Sequence, residues 1–404
     1  MAVCAGFDVC LLVGLYRYLH SKPHSVASFT TSNITFNSGI SNMYNNLKLL
    51  LIDRINFQCI SFERNHQIGI RSNLLNTYKS YSSLATQSGV YNRPNKFLIN
   101  PWFISGFTDA EGCFTLFINK NNKHRIGWEV KVSFQINIHK KDLFLLVQIQ
   151  SYFGVGSISR QGEFTYQYRV QSIKDMASII KHFDIYPLLS EKQTDYVLIK
   201  KAFYIIKNKE HLTQEGLYKI VAIKAFLKLG LSSELMSAFS NVTPMIRPLV
   251  KDLVEKIDPY WLAGFTSGEG CFYIKIFKSK TKIGEVVLLT FQLTQHLRDE
   301  PLLRKIAYYL DCGRVSKNRD AIYLDITKFS DPPRRGDPPS RVDLTNKFIP
   351  LFKKHYILGN KLLDFEDFCK VAELMKNKAH LTLSGLDEIR QIKAGMNTGR
   401  EIKN

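Results

Sequence analysis

The stretch NPWFISGFTDAEGCF, Asn100 to Phe114, returns further along the chain as DPYWLAGFTSGEGCF, Asp258 to Phe272. Each copy begins with an N-cap residue and a proline, which predicts a helix of about eleven residues that ends at a glutamate and a glycine. A strand-like run follows each glycine directly. Because the unit occurs twice with its glutamate in the same place, we expect two halves of similar fold.

The repeat continues beyond these units. FQINIHKKD at 134–142 matches FQLTQHLRD at 291–299, and KNKEHLTQEGLYKIVAIKA at 207–225 matches KNKAHLTLSGLDEIRQIKA at 376–394. The members of the later pair lie further apart than those of the earlier pair, which indicates an insertion in the second copy. The Pro-rich DPPRRGDPPS at 331–340 is the expected insertion. A long period present only twice excludes a solenoid, which needs at least three short repeats.

The repeat predicts the domain organisation. We expect a first half at 95–231, a linker at 232–257 and a second half at 258–404. Residues 1–94 have no counterpart in the second half, and they are rich in Ser, Asn, Tyr and Leu but poor in acids. This composition resembles an organelle transit peptide, and an upstream extension translated together with the domain is the alternative.

Composition and charge narrow the class of partner. At 404 residues, with 45% hydrophobic content and a formal net charge of +20, the chain is expected to fold and to bind an anion, by default nucleic acid. The alternatives are a ribosomal protein, a membrane-surface protein, or a charge that only aids solubility. The 7 cysteines are scattered without a CxxC pair, which indicates a reducing compartment and no zinc site. No apolar run is long enough to span a bilayer.

The two motif helices are expected to pack on each other. Gly106 and Gly264 each have a second small residue four positions later, and this spacing lets two helix backbones approach closely. Gly112 and Gly270, which follow the helices, are expected to adopt the left-handed conformation common at helix ends. The C-terminal ends of both helices would then lie side by side.

The glutamates Glu111 and Glu269 occupy an unfavourable position. The last turn of a helix carries the negative end of its dipole, which costs a carboxylate up to about 1 kcal/mol. Packing of the helices would also bring the two carboxylates together. A hard divalent cation with oxygen ligands between them resolves both problems. The alternative is a solvated glutamate at each helix end.

Polar and apolar residues alternate in the runs that follow the first motif. The runs at 128–139 and 164–171 predict an antiparallel sheet with one face on a core and one face in water. The solvated face is rich in Lys, Arg, Gln, Asn and Ser, which suits base edges in a major groove and the phosphates beside it. A plain solvated face is the alternative. The residues that we expect to contact DNA are Thr115, Asn119, Lys131, Ser133, Asn137, Thr165, Gln167, Arg169, Gln171, Tyr273, Lys275, Thr290 and Thr294.

The sequences ISGFTDAEG at 104–112 and LAGFTSGEG at 262–270 resemble two copies of the motif that names the LAGLIDADG homing endonucleases. The resemblance covers about residues 95–404 and includes the HLT..GL..I..IKA elements typical of the single-chain fungal mitochondrial branch. It implies an α+β fold with an αββαββα order in each half, and a pseudo-two-fold axis through the motif helices. It further implies a mitochondrial monomer that cuts both strands of a long, asymmetric double-stranded DNA target with Mg²⁺.

The family's functional residues carry over residue by residue. Glu111 and Glu269 would bind the metal, helped by the backbone carbonyls of Ala110 and Gly268. This chain has Glu where the family motif ends in Asp, which keeps the charge and the oxygen ligands. The glutamines would orient the attacking water and the lysines would stabilise the developing phosphorane charge. These catalytic residues are Gln135, Gln292, Lys192 and Lys361.

Two other functions fit the same scaffold. Relatives of this fold assist intron splicing, so an RNA maturase would also use the basic surface. A DNA-binding regulator that does not cleave is the other alternative. The presence of both glutamates favours the nuclease, because RNA binding alone does not require them.

Overall fold

The computed structural model describes residues 99–227, 230–242, 256–280, 282–327 and 344–400. The segment at 1–94 and the expected insertion at 331–340 lie outside these residues. Among the helices in the described part of the chain, none is both long enough and apolar enough to cross a membrane.

The two halves have the same order of helices and strands. The first half contains α1 (Pro101–Glu111), β1 (Gly112–Lys120), β2 (Trp128–His139), α2 (Leu143–Phe153), β3 (Ser157–Arg160), β4 (Thr165–Val170), α3 (Ile173–Ile185), α4 (Lys192–Lys207) and α5 (Gln214–Lys224). A short helix, α6 (Ser233–Ala238), follows. The second half contains α7 (Pro259–Glu269), β5 (Gly270–Lys278), β6 (Glu285–His296), α8 (Glu300–Leu310), β7 (Arg314–Asn318), β8 (Ala321–Ile326), α9 (Ile349–Lys354), α10 (Lys361–Lys376) and α11 (Leu383–Ala394). This confirms the α+β class and the αββαββα order, and each half adds two helices to it.

Each half has one four-stranded antiparallel sheet, in the orders β1-β2-β4-β3 and β5-β6-β8-β7. The register places Phe134 opposite Phe114 on one side and Val170 on the other, so the apolar side chains share a face. The next residue, Gln135, lies opposite Arg169 on the other face. The alternation seen in the sequence therefore produces a core face and a polar face.

Phenylalanines fill the core of each half. In the first half the rings of Phe114, Phe134 and Phe183 lie 5.1 to 5.7 Å apart, which joins the sheet to helix α3. In the second half Phe272 and Phe291 make the equivalent contact at 5.0 Å. Each such buried ring contributes on the order of 2 kcal/mol, so each half holds its sheet against its own helices.

The two halves meet along α1 and α7, which begin as the sequence predicts. Asn100 accepts a hydrogen bond from the amide of Trp102, and Asp258 accepts one from the amide of Tyr260. Both helices span 11 residues. A side chain larger than hydrogen does not fit at Gly106, where a Cβ would lie 1.9 Å from the carbonyl oxygen of Trp261.

Gly264 on α7 makes the same kind of close contact with α1. A Cβ on Gly264 would lie 2.0 Å from the carbonyl oxygen of Phe103. Backbone therefore touches backbone where the helices cross, and this contact fixes the position of the glutamates that follow.

The left-handed conformation expected for the glycines after these helices is wrong. Gly112 has φ −76° and Gly270 has φ −67°, both in the extended region. The glycines are needed for space instead, because a Cβ on Gly112 would lie 2.8 Å from the carbonyl oxygen of Thr108. The chain can therefore turn from helix into strand without an intervening loop.

The segment expected as a linker starts with an ordered element. Helix α6 lies within it, and Leu235 and Phe239 are buried. The ring of Phe239 packs 5.2 Å from the indole of Trp128 at the start of β2. The first part of the linker is thus attached to the first-half sheet.

Candidate active site

The glutamates Glu111 and Glu269 come together at the ends of the crossing helices. Glu111 Oε1 is 3.2 Å from the position that a Cβ would occupy on Gly268, so the first-half glutamate contacts the end of the second-half helix. Burial raises the pKa of both carboxyl groups, and the charge of Glu269 raises the pKa of Glu111 further. The positive charges of Lys192 and Lys361 oppose this rise at both. Both carboxyl groups therefore hold a proton more tightly than a solvated glutamate does, even with two lysines beside them.

These carboxylates fit a divalent cation. Each is half-buried and lines an open cavity, of about 460 Å³ at Glu111 and about 660 Å³ at Glu269. Within the described residues no group of three or more His, Cys, Asp and Glu side chains converges. A cation here would take its remaining ligands from carbonyls, water or phosphate. Oxygen ligands of this kind suit a hard divalent cation.

Lys192 is the first residue of α4 and reaches the end of α1. Its Nζ donates to the carbonyl oxygen of Ala110 at 2.7 Å and to that of Thr108 at 3.3 Å. Burial lowers the pKa of Lys192, and the nearby carboxylates oppose this change. The carbonyl of Ala110, which the sequence proposes as a metal ligand, thus accepts a hydrogen bond from the lysine of its own half.

Lys361 occupies the same position in the second half, as the first residue of α10. It lines the 460 Å³ cavity together with Glu111, Asn137, Ser267 and Gly268. Lys361 of the second half and Glu111 of the first half therefore line the same cavity, and its walls come from both halves.

A buried carboxylate holds the turn that precedes Lys192. Asp109 accepts hydrogen bonds from the amides of Leu189 and Ser190, from the hydroxyl of Ser190, and from the indole Nε1 of Trp261 at 2.8 Å. Burial raises the pKa of Asp109, and the hydrogen bonds it accepts oppose that rise. The sequence alone assigns no function to Asp109, although it shows that the second motif copy has a serine at the matching position.

The second half uses a different residue for the same purpose. Ser267, the counterpart of Asp109, accepts a hydrogen bond from the amide of Leu358 at 3.0 Å and donates to the carbonyl of Ala263 at 2.8 Å. Phe103 is the counterpart of Trp261 and has no donor. The second motif helix therefore contributes a neutral hydroxyl where the first contributes a carboxylate.

The glutamines proposed as catalytic are tied into the polar faces of the sheets. Gln135 Oε1 accepts from Arg169 Nη2 and from Gln167 Nε2, both at 3.3 Å. Gln292 Nε2 donates to Asp325 Oδ1 at 2.7 Å, and Asp325 is its direct partner on β8. The two halves therefore place opposite charges at corresponding points, because Arg169 faces Gln135 where Asp325 faces Gln292.

Not all the residues expected on the solvated faces are exposed. Ser133 is 0% exposed, and Thr115, Gln167 and Thr290 are also buried, so the expectation of an exposed side chain is wrong for these four. Thr115 and Ser133 are opposite each other in the register. Asn119, Lys131, Asn137, Gln171 and Lys275 are exposed, and Thr165, Arg169, Tyr273 and Thr294 are half-buried.

Two further contacts involve residues that the sequence gives no function. Gln295 on β6 forms a hydrogen bond with Glu269, which lowers the pKa of that carboxyl against the larger effect of burial. Lys131 Nζ lies 2.8 Å from Glu129 Oε1 on the same strand, so an acid accompanies this exposed lysine.

Two segments, 104–203 and 262–372, match the family model described as LAGLIDADG endonuclease. The chain belongs to the LAGLIDADG endonuclease family. Each matched segment begins within a motif helix and ends within α4 or α10, so the family match contains both glutamates and both lysines.

Fungal proteins and solved structures are similar to this chain. "Probable intron-encoded endonuclease 3" of Neurospora crassa is 37% identical over 340 residues, which cover 81% of this chain and 61% of the relative. An uncharacterized 50.9 kDa protein in ND4 intron 1 of Podospora anserina is 47% identical over 148 residues, 36% of this chain and 33% of that protein. The chain thus spans less than two thirds of these relatives.

Among solved structures, I-SmaMI bound to cleaved DNA has a TM-score of 0.70 and 43% identity, and the match covers 75% of this chain and 98% of that chain. I-SmaMI has also been solved with an uncleaved DNA target in the presence of calcium ions. These matches confirm the two-motif family and its fold.

Proposed function

We propose that this protein is a site-specific endonuclease that cuts both strands of a long, asymmetric double-stranded DNA target. The observation that carries the proposal is the meeting of Glu111 and Glu269 at the ends of the crossing helices, with a lysine from each half beside them. The neighbour I-SmaMI, at 43% identity, is a homing endonuclease whose structure was solved with cleaved DNA, which supports the same activity here.

The chemistry needs a divalent cation, and we propose Mg²⁺. A bound cation would activate a water and neutralise the charge on the leaving oxygen. Glu111 and Glu269 hold the metal, with the carbonyls of Ala110 and Gly268 as further oxygen ligands. The raised pKa of both carboxyl groups means that binding competes with protons, so activity is lost on acidification.

The lysines and glutamines act on the reacting phosphate. Lys192 and Lys361 each begin a helix, and each places its ammonium beside the carboxylates. There they stabilise the negative charge that develops on the phosphorane. Gln135 and Gln292 orient the attacking water.

The polar faces of the two sheets supply DNA recognition. Arg169 suits a guanine edge, because a guanidinium donates to O6 and N7 together. At the corresponding point of the second half, Asp325 suits the amino group of a cytosine. Because the two faces offer different donors and acceptors, the proposed target differs between its two half-sites.

One chain supplies both active sites and both reading faces, which supports action as a monomer. Relatives named for introns of the ND4 and cox1 genes support a mitochondrial location. Neither an RNA maturase nor a regulator that does not cleave needs both glutamates together, so their pairing favours the nuclease.

The test is cleavage of DNA from the host gene without its intron, spanning the point where the intron would be inserted. The purified chain should cut both strands with Mg²⁺, and Glu111→Gln or Glu269→Gln should abolish double-strand cleavage while DNA binding is largely kept. Glu388→Gln changes an exposed glutamate on α11 and is the matched control. Wild-type cutting by either active-site variant would refute the assignment of the metal ligands.

A further inference from the structure

Asp142 and Asp299 hold matching positions in the two halves, and neither caps its own helix. Each ends the short 3-10 turn that follows the second strand of its half, directly before α2 or α8. An aspartate at this N-cap position normally accepts a hydrogen bond from the first turn of the helix that it precedes. Neither side chain does so.

Both carboxylates reach across to the other half instead. Asp142 Oδ1 accepts from the amide of Asn360 at 2.5 Å, and Asn360 directly precedes Lys361. Asp299 Oδ1 accepts from the amide of Glu191 at 2.8 Å, and Glu191 directly precedes Lys192. The exchange is symmetrical, because each half places a carboxylate at the start of the other half's lysine helix.

The local structure is fitted to these contacts. Asp299 is buried, and Asp142 lines the cavity that contains Glu111 and Lys361. A Cβ on Gly359 would lie 2.5 Å from Asp142 Oδ1, so the second-half turn leaves room only for hydrogen there. A negative charge at a helix N-terminus also interacts favourably with the helix dipole. Both the space and the charge suit an acceptor at this point.

We propose that Asp142 and Asp299 are positioning residues, each of which aligns the catalytic lysine of the opposite half. The inference rests on the proposed function of Lys192 and Lys361 in cleavage. It means that neither lysine is placed by its own half alone. A displacement of one half relative to the other would move both lysines at once.

The test measures each DNA strand separately in single-turnover cleavage by the full chain with Mg²⁺. Lys192→Ala and Lys361→Ala first show which strand depends on which lysine. Asp142→Ala should then slow the strand that depends on Lys361 by about ten- to a hundredfold, since small misplacement of a catalytic group costs up to about 10² in rate. Asp299→Ala should slow the other strand.

Combined variants separate positioning from general damage. In the Lys361→Ala background, Asp142→Ala should add nothing to the loss on that strand, whereas in the Lys192→Ala background it should keep its full effect. Asp142→Asn retains an acceptor oxygen and should recover most of the rate. Asp387→Ala removes an exposed aspartate on α11 and is the control.

Three results would overturn the inference. One is equal slowing of both strands by Asp142→Ala, with Asp142→Asn no better, which would indicate a merely structural residue. Another is a further loss in the Lys361→Ala background. The third is that the lysine variants cut at the normal rate or do not separate the strands, and this would also refute the proposed function of the lysines. Slow lysine variants beside normal aspartate variants would refute the inference alone.

Discussion

Replacing Trp261 by phenylalanine tests the buried network that holds the turn before Lys192. The indole is 0% exposed, and its Nε1 donates to Asp109 at 2.8 Å. Phenylalanine is the residue that the first motif helix has at the matching position, Phe103, so the substitution suits this helix. It removes one donor and part of one ring.

The expected loss has two parts. A hydrogen bond to a buried charged acceptor is worth about 1.5–3 kcal/mol. The deleted ring atoms cost roughly 1–2 kcal/mol in lost burial and cavity formation. The free energy of unfolding should therefore fall by about 2.5–5 kcal/mol.

The two parts differ in their dependence on pH. Burial keeps the folded-state pKa of Asp109 above its ordinary value, so ionising Asp109 costs stability as the pH rises through that folded pKa. The indole bond offsets part of this cost. Without it the folded pKa rises further, so the variant should lose more stability relative to wild type at high pH than at low pH. The stability lost through poorer packing is the same at every pH.

Chemical denaturation of wild type and Trp261→Phe from about pH 5 to about pH 8 measures both parts. Trp102→Phe changes an indole outside this network and is the control. A stability difference that is the same at every pH would show that losing the indole bond does not change the titration of Asp109 in this pH range. A difference below about 1 kcal/mol would show that the indole bond contributes little.

Two further substitutions test the helix crossing and the reading face. Gly106→Ala places a Cβ where the backbone of Trp261 lies, so it should lower the free energy of unfolding by more than about 4 kcal/mol, and an unchanged thermal midpoint would contradict the backbone contact. Arg169→Ala should weaken binding by roughly 1–3 kcal/mol at one base pair of the target. A binding profile over all single-base variants checks this, with exposed Lys131→Ala for comparison. An equal loss of affinity for every target variant, together with a weaker dependence of binding on salt concentration, would show a phosphate contact instead.

The sequence was sufficient for the features that depend on local pattern. Asn100 with its following proline marks a helix start, and the alternation around Phe134 predicts a sheet with one apolar face. Gly106 also follows from spacing alone, because small residues four apart indicate a close helix contact. These are rules of one helix or one strand, and they hold wherever the element lies in the molecule.

The remaining features depend on contacts that the local sequence pattern does not show. Gly112 looks like a left-handed helix end, but the neighbouring side chain of Thr108 decides its role. Ser133 looks exposed on its strand, but it is 0% exposed in the folded chain. Asp142 looks like a cap for its own helix, and its partner lies in the other half. The sequence shows that this aspartate recurs as Asp299, but it does not show that each side chain reaches the other half.

The pairing of Asp109 with Trp261 has a consequence for any exchange of halves between related proteins. Two copies of the first half would set Asp109 against phenylalanine, which would deprive a buried carboxylate of a donor. Two copies of the second half would leave the indole of Trp261 facing Ser267. The duplicated units have thus become complementary rather than interchangeable. A chimera assembled from such halves should therefore transfer both residues together.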